Sequence, residues 1–150
     1  MPDALHLDHQ LCFALYAATR ALTSAYQPLL APLGLTYPQY LVMLVLWETD
    51  GVAIRDLGHR LHLDSGTLTP LVKRLERAGL VARRRDVDDE RVVHVDLSPA
   101  GRALRRRAQG IPGQLLCQLE LSLPELARLR GQLARLTTTL RAADADPQET

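Results

Sequence analysis

The N-terminal part of the chain shows an apolar stripe at helical spacing, formed by Leu11, Leu15, Ala18 and Leu22. Side chains three or four residues apart share one face of an α-helix. Asp8 stands before the stripe with the properties of an N-cap, and Pro32 and Gly34 end the pattern. The spacing therefore predicts a helix over residues 8–31.

The residues that follow predict a second, buried helix. In the segment TYPQ, Thr36 and Gln39 form a capping box, and a proline is tolerated in the first helical turn. The run YLVMLVLWE that continues the segment is apolar on nearly every side. A helix without a polar face belongs in the core of the domain.

Two shorter helical patterns come next, joined by a tight connection. The segment IRDLGHRL predicts a short helix, and DSGTLTPLVKRLERAGL predicts another, which Gly79 ends. The second helix has an inward-facing stripe formed by Leu68, Leu71, Val72 and Leu75. Its start stays open between Asp64 and Thr67, because Pro70 removes a helical hydrogen bond if Asp64 is the cap.

The next residues predict a two-stranded hairpin and two further helices. VARRR and RVVHVDL alternate or are β-branched on either side of the acidic tip DVDDE. Ser98 as N-cap, followed by Pro99, begins a helix that the GIPG sequence at 110–113 interrupts. A second capping box, SLPE at 122–125, opens a last helix that ends near Arg141, and the tail DADPQET is expected to fray.

Composition and charge narrow the function classes. A chain of 150 residues with 47% hydrophobic side chains suits one folded domain. It has no apolar run of about 18 residues and no secretory signal at its start, so we expect a cytoplasmic protein with no membrane partner. The net charge is +1, but residues 51–107 carry +5 and the remainder carries −4. A basic centre is expected of a DNA-contacting module, although a solvated charged surface has the same pattern.

The order of short helix, tight turn, second helix and basic hairpin is that of a winged helix-turn-helix domain. A helix fits the major groove, and polar side chains on the 65–78 helix are suited to contact bases and phosphates. These side chains are Ser65, Thr67, Thr69, Lys73 and Arg74. Arg83, Arg84, Arg85 and Arg91 flank the hairpin tip, where an arginine is suited to a narrow minor groove. A solvated amphipathic helix beside an unrelated arginine cluster stays open as the alternative.

Cys12, near the first turn of the first predicted helix, is the candidate for redox chemistry. The positive end of the helix dipole and phenolic donors favour a thiolate, which attacks a peroxide to give a sulfenic acid. Cys12, Tyr16 and Tyr26 share one stripe of the helix, but Tyr26 is about 21 Å along the axis from Cys12. If Tyr26 helps Cys12, it must therefore come from a second chain. A mildly polar core or dimer seam is the open alternative.

Between residues 36 and 101 the sequence resembles the MarR-type regulators, which are dimeric winged-helix repressors. The resemblance rests on LDSGTLTPLVKRLERAGLVARR, on Asp89 and Arg91 of the hairpin sequence DER, and on the exit VDLSPAGR. It implies a mainly α fold in which a winged helix-turn-helix is joined by N- and C-terminal dimerisation helices. It also implies a homodimer on a pseudo-palindromic operator in double-stranded DNA, with Asp89 and Arg91 among the DNA-binding residues.

The same resemblance sets the expected organisation of the chain. Residues 1–150 form a single domain, in which residues 36–97 are the DNA-binding lobe. The dimerisation helices are expected at 8–31 and 98–141. The second helix of the lobe is expected in the major groove, and the hairpin at the minor groove.

Within that family, Cys12 with Tyr16, Tyr26 and Tyr37 resembles the organic hydroperoxide sensor branch, OhrR. Cys117 lies among leucines and by itself favours a buried, inert thiol, yet it falls where two-cysteine members carry their resolving cysteine. The resemblance implies a repressor that binds DNA when reduced and releases it when an organic hydroperoxide oxidises Cys12. Oxidised Cys12, the peroxidatic residue, then condenses with Cys117 of the partner subunit.

Three other functions compete with this hypothesis. The main alternative is a MarR-type repressor released by a non-covalent aromatic ligand, with incidental cysteines. A thiol peroxidase is disfavoured because the chain reads as mostly helical, so we expect no enzyme. A protein-interaction module is disfavoured by the basic central segment. The histidines have no ligand-like spacing, and we expect no metal and no cofactor.

Overall fold

The computed structural model describes residues 3–145, and internal contacts divide the chain into two units, Met1–Ile111 and Pro112–Thr150. The first contains the main hydrophobic core and the whole of the predicted DNA-binding lobe. The chain is mostly helical with one small antiparallel sheet, which confirms the mainly α fold class.

The first helix, α1, spans Leu11–Leu30 and begins later than its sequence pattern predicts. Asp8 lies instead in a short 3₁₀ helix, Leu7–His9, and Gln10 is the N-cap of α1. The prediction of Asp8 as the cap is therefore wrong, because the chain passes through an extended conformation at Gln10 before the α-helix begins.

The central helix, α2, spans Tyr37–Glu48 and has the predicted capping box. Gln39 donates its main-chain N–H to the Thr36 hydroxyl (3.4 Å), and Thr36 donates its own to the Gln39 side-chain oxygen (2.9 Å). The helix is buried on most sides, through Tyr40, Val42, Met43, Val45, Leu46 and Trp47. It therefore forms the centre of the core, as its apolar sequence predicts.

Within residues 3–145, no single helix has both the length and the apolar composition to cross a membrane. The bent pair Leu11–Leu33 and Tyr37–Glu48 meets these criteria only when its two parts are taken together.

The helix-turn-helix consists of α3, Ile54–Leu61, and α4, Ser65–Arg77. The Asp64 carboxylate accepts a hydrogen bond from the Thr67 main-chain N–H at 2.7 Å, so Asp64 is the N-cap and Pro70 lies inside α4. The predicted inward stripe is confirmed, since its members are all buried: Leu68, Leu71, Val72 and Leu75. This stripe fixes which side chains of α4 face solvent.

The sheet has three strands where the sequence predicts two. Strands β2, Val81–Arg85, and β3, Val93–Leu97, form the predicted antiparallel hairpin, and we call residues 81–97 the wing. A third strand, β1, Val52–Ala53, pairs with the other edge of β3. Two residues are too few to show the alternation that identifies a strand in sequence.

The remaining helices are α5, Pro99–Ala108, α6, Ile111–Leu119, and α7, Leu123–Ala145. The predicted caps are confirmed: Ser98 accepts from the Gly101 N–H at 3.0 Å, and Ser122 and Glu125 form the second capping box. The GIPG interruption is shorter than predicted, because its proline and last glycine lie inside α6. Helix α7 includes the first two residues of the tail that we expected to fray, and residues 146–150 lie outside the described part of the chain.

Replacing Gly101 by alanine is expected to destabilise the protein. A Cβ at this position collides with the Leu80 carbonyl oxygen and lies 3.3 Å from the Leu97 side chain, so the start of α5 must move. We expect the free energy of unfolding to fall by about 3 kcal/mol in a urea titration followed by Trp47 fluorescence.

The matched control is Gly131→Ala in α7, where a Cβ meets no atom within 4 Å. Alanine is the better helix former by up to about 1 kcal/mol, so this variant is expected to be as stable as the wild type or more stable. Wild-type stability of the Gly101→Ala variant would contradict the close approach of α5 to residue 80.

Candidate nucleic-acid interface and cysteine site

The outward face of α4 carries the polar residues that sequence analysis assigns to DNA contact. Ser65, Thr67, Lys73 and Arg74 are exposed, and Thr69 is half-buried. Hydroxyl, ammonium and guanidinium groups on one accessible helix face are suited to phosphates and base edges. The structure thus brings all five predicted residues onto one helix, opposite its buried stripe.

A carboxylate joins α4 to the wing. Glu76 accepts hydrogen bonds from the main-chain N–H of Arg83 (3.3 Å) and from its guanidinium Nε (3.0 Å). These two hydrogen bonds lower the pKa of Glu76, so it stays ionised at neutral pH. The end of α4 and the start of β2 are therefore held in a defined relation, which sequence analysis did not anticipate.

The predicted wing arginines differ in how their charge is balanced. Arg84 donates to Asp96 at 2.9 Å, and Arg91 makes two parallel hydrogen bonds to Asp89 at 3.0 and 3.1 Å. Arg85 donates to the Glu90 carbonyl at 3.3 Å and forms no ion pair within residues 3–145. Its positive charge is thus the least compensated of the three.

Cys12 lies in the first turn of α1, near where the sequence predicts, and its side chain is exposed. Tyr16 follows one turn later with 59% of its surface exposed. Arg20 donates a hydrogen bond to the Tyr16 hydroxyl oxygen at 3.0 Å and stands over its ring. The Tyr16 hydroxyl hydrogen therefore remains available to another acceptor.

Tyr26 and Tyr37 meet on the first unit, together with Tyr40, and we call these three residues the tyrosine cluster. Ring centroids are 4.7 Å apart for Tyr26 and Tyr37 and 5.7 Å apart for Tyr26 and Tyr40. Burial and the two neighbouring phenols raise the pKa of Tyr26 to about 12, and burial also raises the pKa of Tyr37 and Tyr40. All three hydroxyls hence keep their protons near neutral pH and can act as donors.

The tyrosine cluster is separated from the cysteine of the same chain. Tyr26 follows Cys12 by 14 positions on α1, which corresponds to about 21 Å along the helix axis. The structure thus brings Tyr26 and Tyr37 together but leaves Cys12 with Tyr16 alone from the predicted set. Tyr40 was missed because, in an apolar helix, a tyrosine is indistinguishable from ordinary core.

Cys117 lies on α6 and is exposed. Its leucine-rich surroundings favour a buried thiol, and that expectation is wrong, because its side chain lies on the exposed side of the helix while Leu115 is buried. Both cysteines are free, exposed thiols. Within residues 3–145, no cluster of His, Cys, Asp or Glu has the composition of a metal site.

Helices α1 and α7 each expose large apolar side chains. On α1 these are Leu11, Phe13 and Tyr16, and on α7 they are Leu123, Leu129, Leu133 and Leu140. Apolar surface of this extent on a helix marks an interaction site more often than a solvated one. The two helices coincide with the segments predicted to dimerise.

Known transcriptional regulators share this fold and sequence. A family model described as transcriptional regulator SarA/Rot matches residues 24–107. The chain is 45% identical over 138 residues to the organic hydroperoxide resistance transcriptional regulator of Bacillus subtilis, covering 92% of this chain and 94% of that protein.

Solved structures of AbfR, a protein of Staphylococcus epidermidis, are similar in three dimensions. Reduced AbfR bound to DNA matches with a TM-score of 0.79 at 32% identity, covering 91% of this chain and 94% of AbfR. The disulfide form of AbfR matches with a TM-score of 0.64 at 33% identity, covering 87% and 92%.

Removing the Tyr26 hydroxyl is expected to change how stability depends on alkaline pH. In the unfolded chain a tyrosine ionises near pH 10, whereas folded Tyr26 keeps its proton to about 12. Because folded Tyr26 holds its proton more tightly than the unfolded chain does, it contributes to the free energy of unfolding. This contribution is complete below pH 10 and is lost as the pH rises towards 12. We expect urea titrations between these pH values to show a shallower loss for Tyr26→Phe than for the wild type.

Tyr16→Phe is the control for this titration, because the Tyr16 ring is exposed and outside the tyrosine cluster. It is expected to follow the wild-type curve. Identical slopes for the wild type and Tyr26→Phe would contradict the burial of the Tyr26 hydroxyl.

Proposed function

This chain belongs to the MarR family of winged-helix transcriptional regulators, and we propose that it is a dimeric repressor controlled by oxidation of Cys12. It is a DNA-binding regulator and not an enzyme. The proposed repressor binds a pseudo-palindromic operator when reduced and leaves it when an organic hydroperoxide oxidises Cys12. Its proposed place of action is the cytoplasm.

One observation carries the redox part of the proposal. Cys12 is exposed in the first turn of α1, one turn before Tyr16, in a chain 45% identical to an organic hydroperoxide resistance regulator. The first turn places the sulfur at the positive end of the helix dipole, where a negative charge is stabilised. The thiolate is the form that reacts with peroxides.

A homodimer completes the proposed site. Tyr26 of the tyrosine cluster is about 21 Å along the helix axis from Cys12 of its own chain, so its hydroxyl reaches a Cys12 thiolate only from a second subunit. The exposed apolar side chains of α1 and α7 support this association. We therefore assign dimerisation to residues 8–31 and 98–141, DNA binding to 36–97, and both to a single domain of 1–150.

The chemistry proceeds in two balanced steps. The Cys12 thiolate attacks the terminal oxygen of the hydroperoxide, the O–O bond breaks, and the alkoxide takes up a proton to leave as an alcohol. The Cys117 thiolate of the partner subunit then attacks the Cys12 sulfenic sulfur, and the hydroxide that leaves is protonated to water. The hydroperoxide gains two electrons, and two thiols become one disulfide.

The proposed DNA interface combines α4 with the wing. Ser65, Thr67, Thr69, Lys73 and Arg74 face the major groove, and Arg84, Arg85, Asp89 and Arg91 serve the minor-groove contact. In this arrangement Asp89 orients Arg91 through their paired hydrogen bonds. Support comes from the similarity to reduced AbfR bound to DNA and from the basic character of residues 51–107.

Removal of Arg85 is expected to weaken DNA binding more than removal of Arg84. Selection from a random duplex library with the reduced protein first supplies a two-fold-symmetric site. Fluorescence anisotropy on that duplex then gives affinity against salt for Arg85→Ala and Arg84→Ala. Arg85→Ala is expected to reduce the logarithmic salt slope by about 0.9, the value for one phosphate contact.

Arg84→Ala is expected to change the slope less, because Asp96 already balances its charge. Equal losses for the two variants would show that the Arg84–Asp96 ion pair opens on DNA. A slope near zero for the wild type would contradict a DNA-binding function altogether.

Oxidation is expected to link two subunits through the two cysteines. The reduced protein is treated with one equivalent of cumene hydroperoxide and run on a non-reducing denaturing gel beside Cys12→Ser and Cys117→Ser. We expect a dimer-sized band in the wild type, which dithiothreitol removes, and none in either variant. Release of the selected duplex is expected to accompany the band.

The other outcomes of this experiment separate the alternatives. Oxidation of Cys12 without a dimer band would contradict the role of Cys117 and leave a sensor that needs an external thiol. A Cys12 that stays reduced would contradict redox sensing and favour the repressor released by an aromatic ligand.

A further inference from the structure

His94, the second residue of β3, lies where the wing joins the rest of the lobe. Its Cα partners are Ala53 on β1 and Arg84 on β2, so it occupies the central strand of the sheet. Its side chain is 22% exposed, which places it among the better shielded polar groups of the wing. No DNA or redox role has been assigned to it above.

Both ring nitrogens of His94 face oxygen acceptors. Nδ1 is 3.1 Å from the Gly51 carbonyl oxygen, and Nε2 is 2.8 Å from Oδ2 of Asp86. A neutral imidazole has one N–H and satisfies only one of these acceptors, whereas the imidazolium has two and satisfies both. Both acceptors are therefore satisfied only when each ring nitrogen of His94 carries a proton.

The Asp86 carboxylate binds both His94 and the main chain of the wing tip. Its other oxygen, Oδ1, accepts the main-chain N–H groups of Asp88 (2.9 Å) and Asp89 (3.1 Å). Asp89 in turn holds the guanidinium of Arg91. A continuous series of hydrogen bonds thus runs from Gly51, beside β1, through His94 to the residue proposed for the minor groove.

The surrounding charges leave Asp86 as the main partner of His94. Of the neighbouring charged groups, Arg84 and Asp89 interact with Asp86. Farther out, Asp96 pairs with Arg84, Arg91 and Arg55 interact with Asp89, and Asp50 precedes Gly51. The wing arginines Arg84 and Arg91 each bind a carboxylate in this set. The hydrogen bonds from His94 and from the main chain lower the pKa of Asp86, so its charge is lost only as the pH falls well into the acid range.

We propose that His94 is a positioning residue of the wing, which as an imidazolium fixes the tip to Gly51 and makes DNA affinity fall as the pH rises. Loss of the His94 proton removes one of the two hydrogen bonds and the attraction to Asp86. The wing tip then loses its fixed place, and Arg91 must be ordered when DNA binds. The predicted effect on DNA affinity rests on the proposed function, whereas the predicted protonation of the His94 ring does not.

The protonation state of His94 is tested on the free protein. Nitrogen-15 NMR of the histidine rings at pH 6 is expected to show both His94 nitrogens carrying protons, with couplings to Gly51 and Asp86 as partners. A spectrum in which one His94 nitrogen lacks a proton at pH 6 would overturn the proposal, whether or not the chain binds DNA.

The effect on DNA is tested with the selected duplex at pH 6.0, 7.0 and 8.5 and constant salt, by fluorescence anisotropy. The wild type is expected to lose about fivefold more affinity over this range than His94→Gln, the effect of one hydrogen bond. His59→Gln is the matched control, since His59 is an exposed histidine of α3. It is expected to keep the wild-type profile.

Asp86→Asn distinguishes a positioning role from a merely structural one. Its amide oxygen still accepts from residues 88 and 89, but its NH₂ group now donates and fits neutral His94 instead of the imidazolium. The pH dependence is therefore expected to invert, with affinity rising as the pH rises. If DNA affinity depends on pH in His94→Gln or in Asp86→Asn as it does in the wild type, the proposal is overturned. Absence of any DNA binding would instead contradict the proposed function.

Discussion

The hydrogen bond from the Trp47 indole to the Gly101 carbonyl, 2.9 Å long, ties the buried helix α2 to the start of α5. Gly101 also lies directly against the Leu80 carbonyl, where α4 passes into the wing. One position without a side chain is therefore the meeting point of α2, the end of α4, the wing and α5. The groups of α4 and the wing that we propose to contact DNA lie on elements that meet at this junction. A shift of α5 is transmitted to the wing because the close approach leaves no space to absorb it.

Local rules recovered most of the fold from sequence. The boxes at Thr36 and Ser122, the cap at Ser98 and the stripe of α4 are each encoded within a few residues, and the structure confirms them. Strand β1 is encoded by its pairing with β3 and was missed. Asp8 failed as a cap because the 3₁₀ turn before Gln10 has no signature of its own.

The candidate site was predicted less completely than the fold, because its geometry depends on distant pairs. The residue types at Cys12, Tyr26 and Tyr37 point to thiol chemistry, but only the structure shows that the tyrosines meet each other and Tyr40. In the same way, the arginine content of the wing is plain in sequence, whereas the pairing of Arg84 with Asp96 depends on how β2 and β3 align. The exposure of Cys117 also depends on how α6 is oriented.

Pro70, inside α4, leaves one main-chain carbonyl oxygen of that helix without its usual hydrogen bond. A proline has no N–H, so the carbonyl oxygen of Gly66, four residues earlier, receives no helical hydrogen bond from that position. Gly66 is exposed and has no side chain to cover this oxygen. The first turn of α4 thus offers a backbone acceptor among the hydroxyls and cations of its outer face. Its position is set by the helix itself and not by a rotamer, unlike the side-chain groups around it.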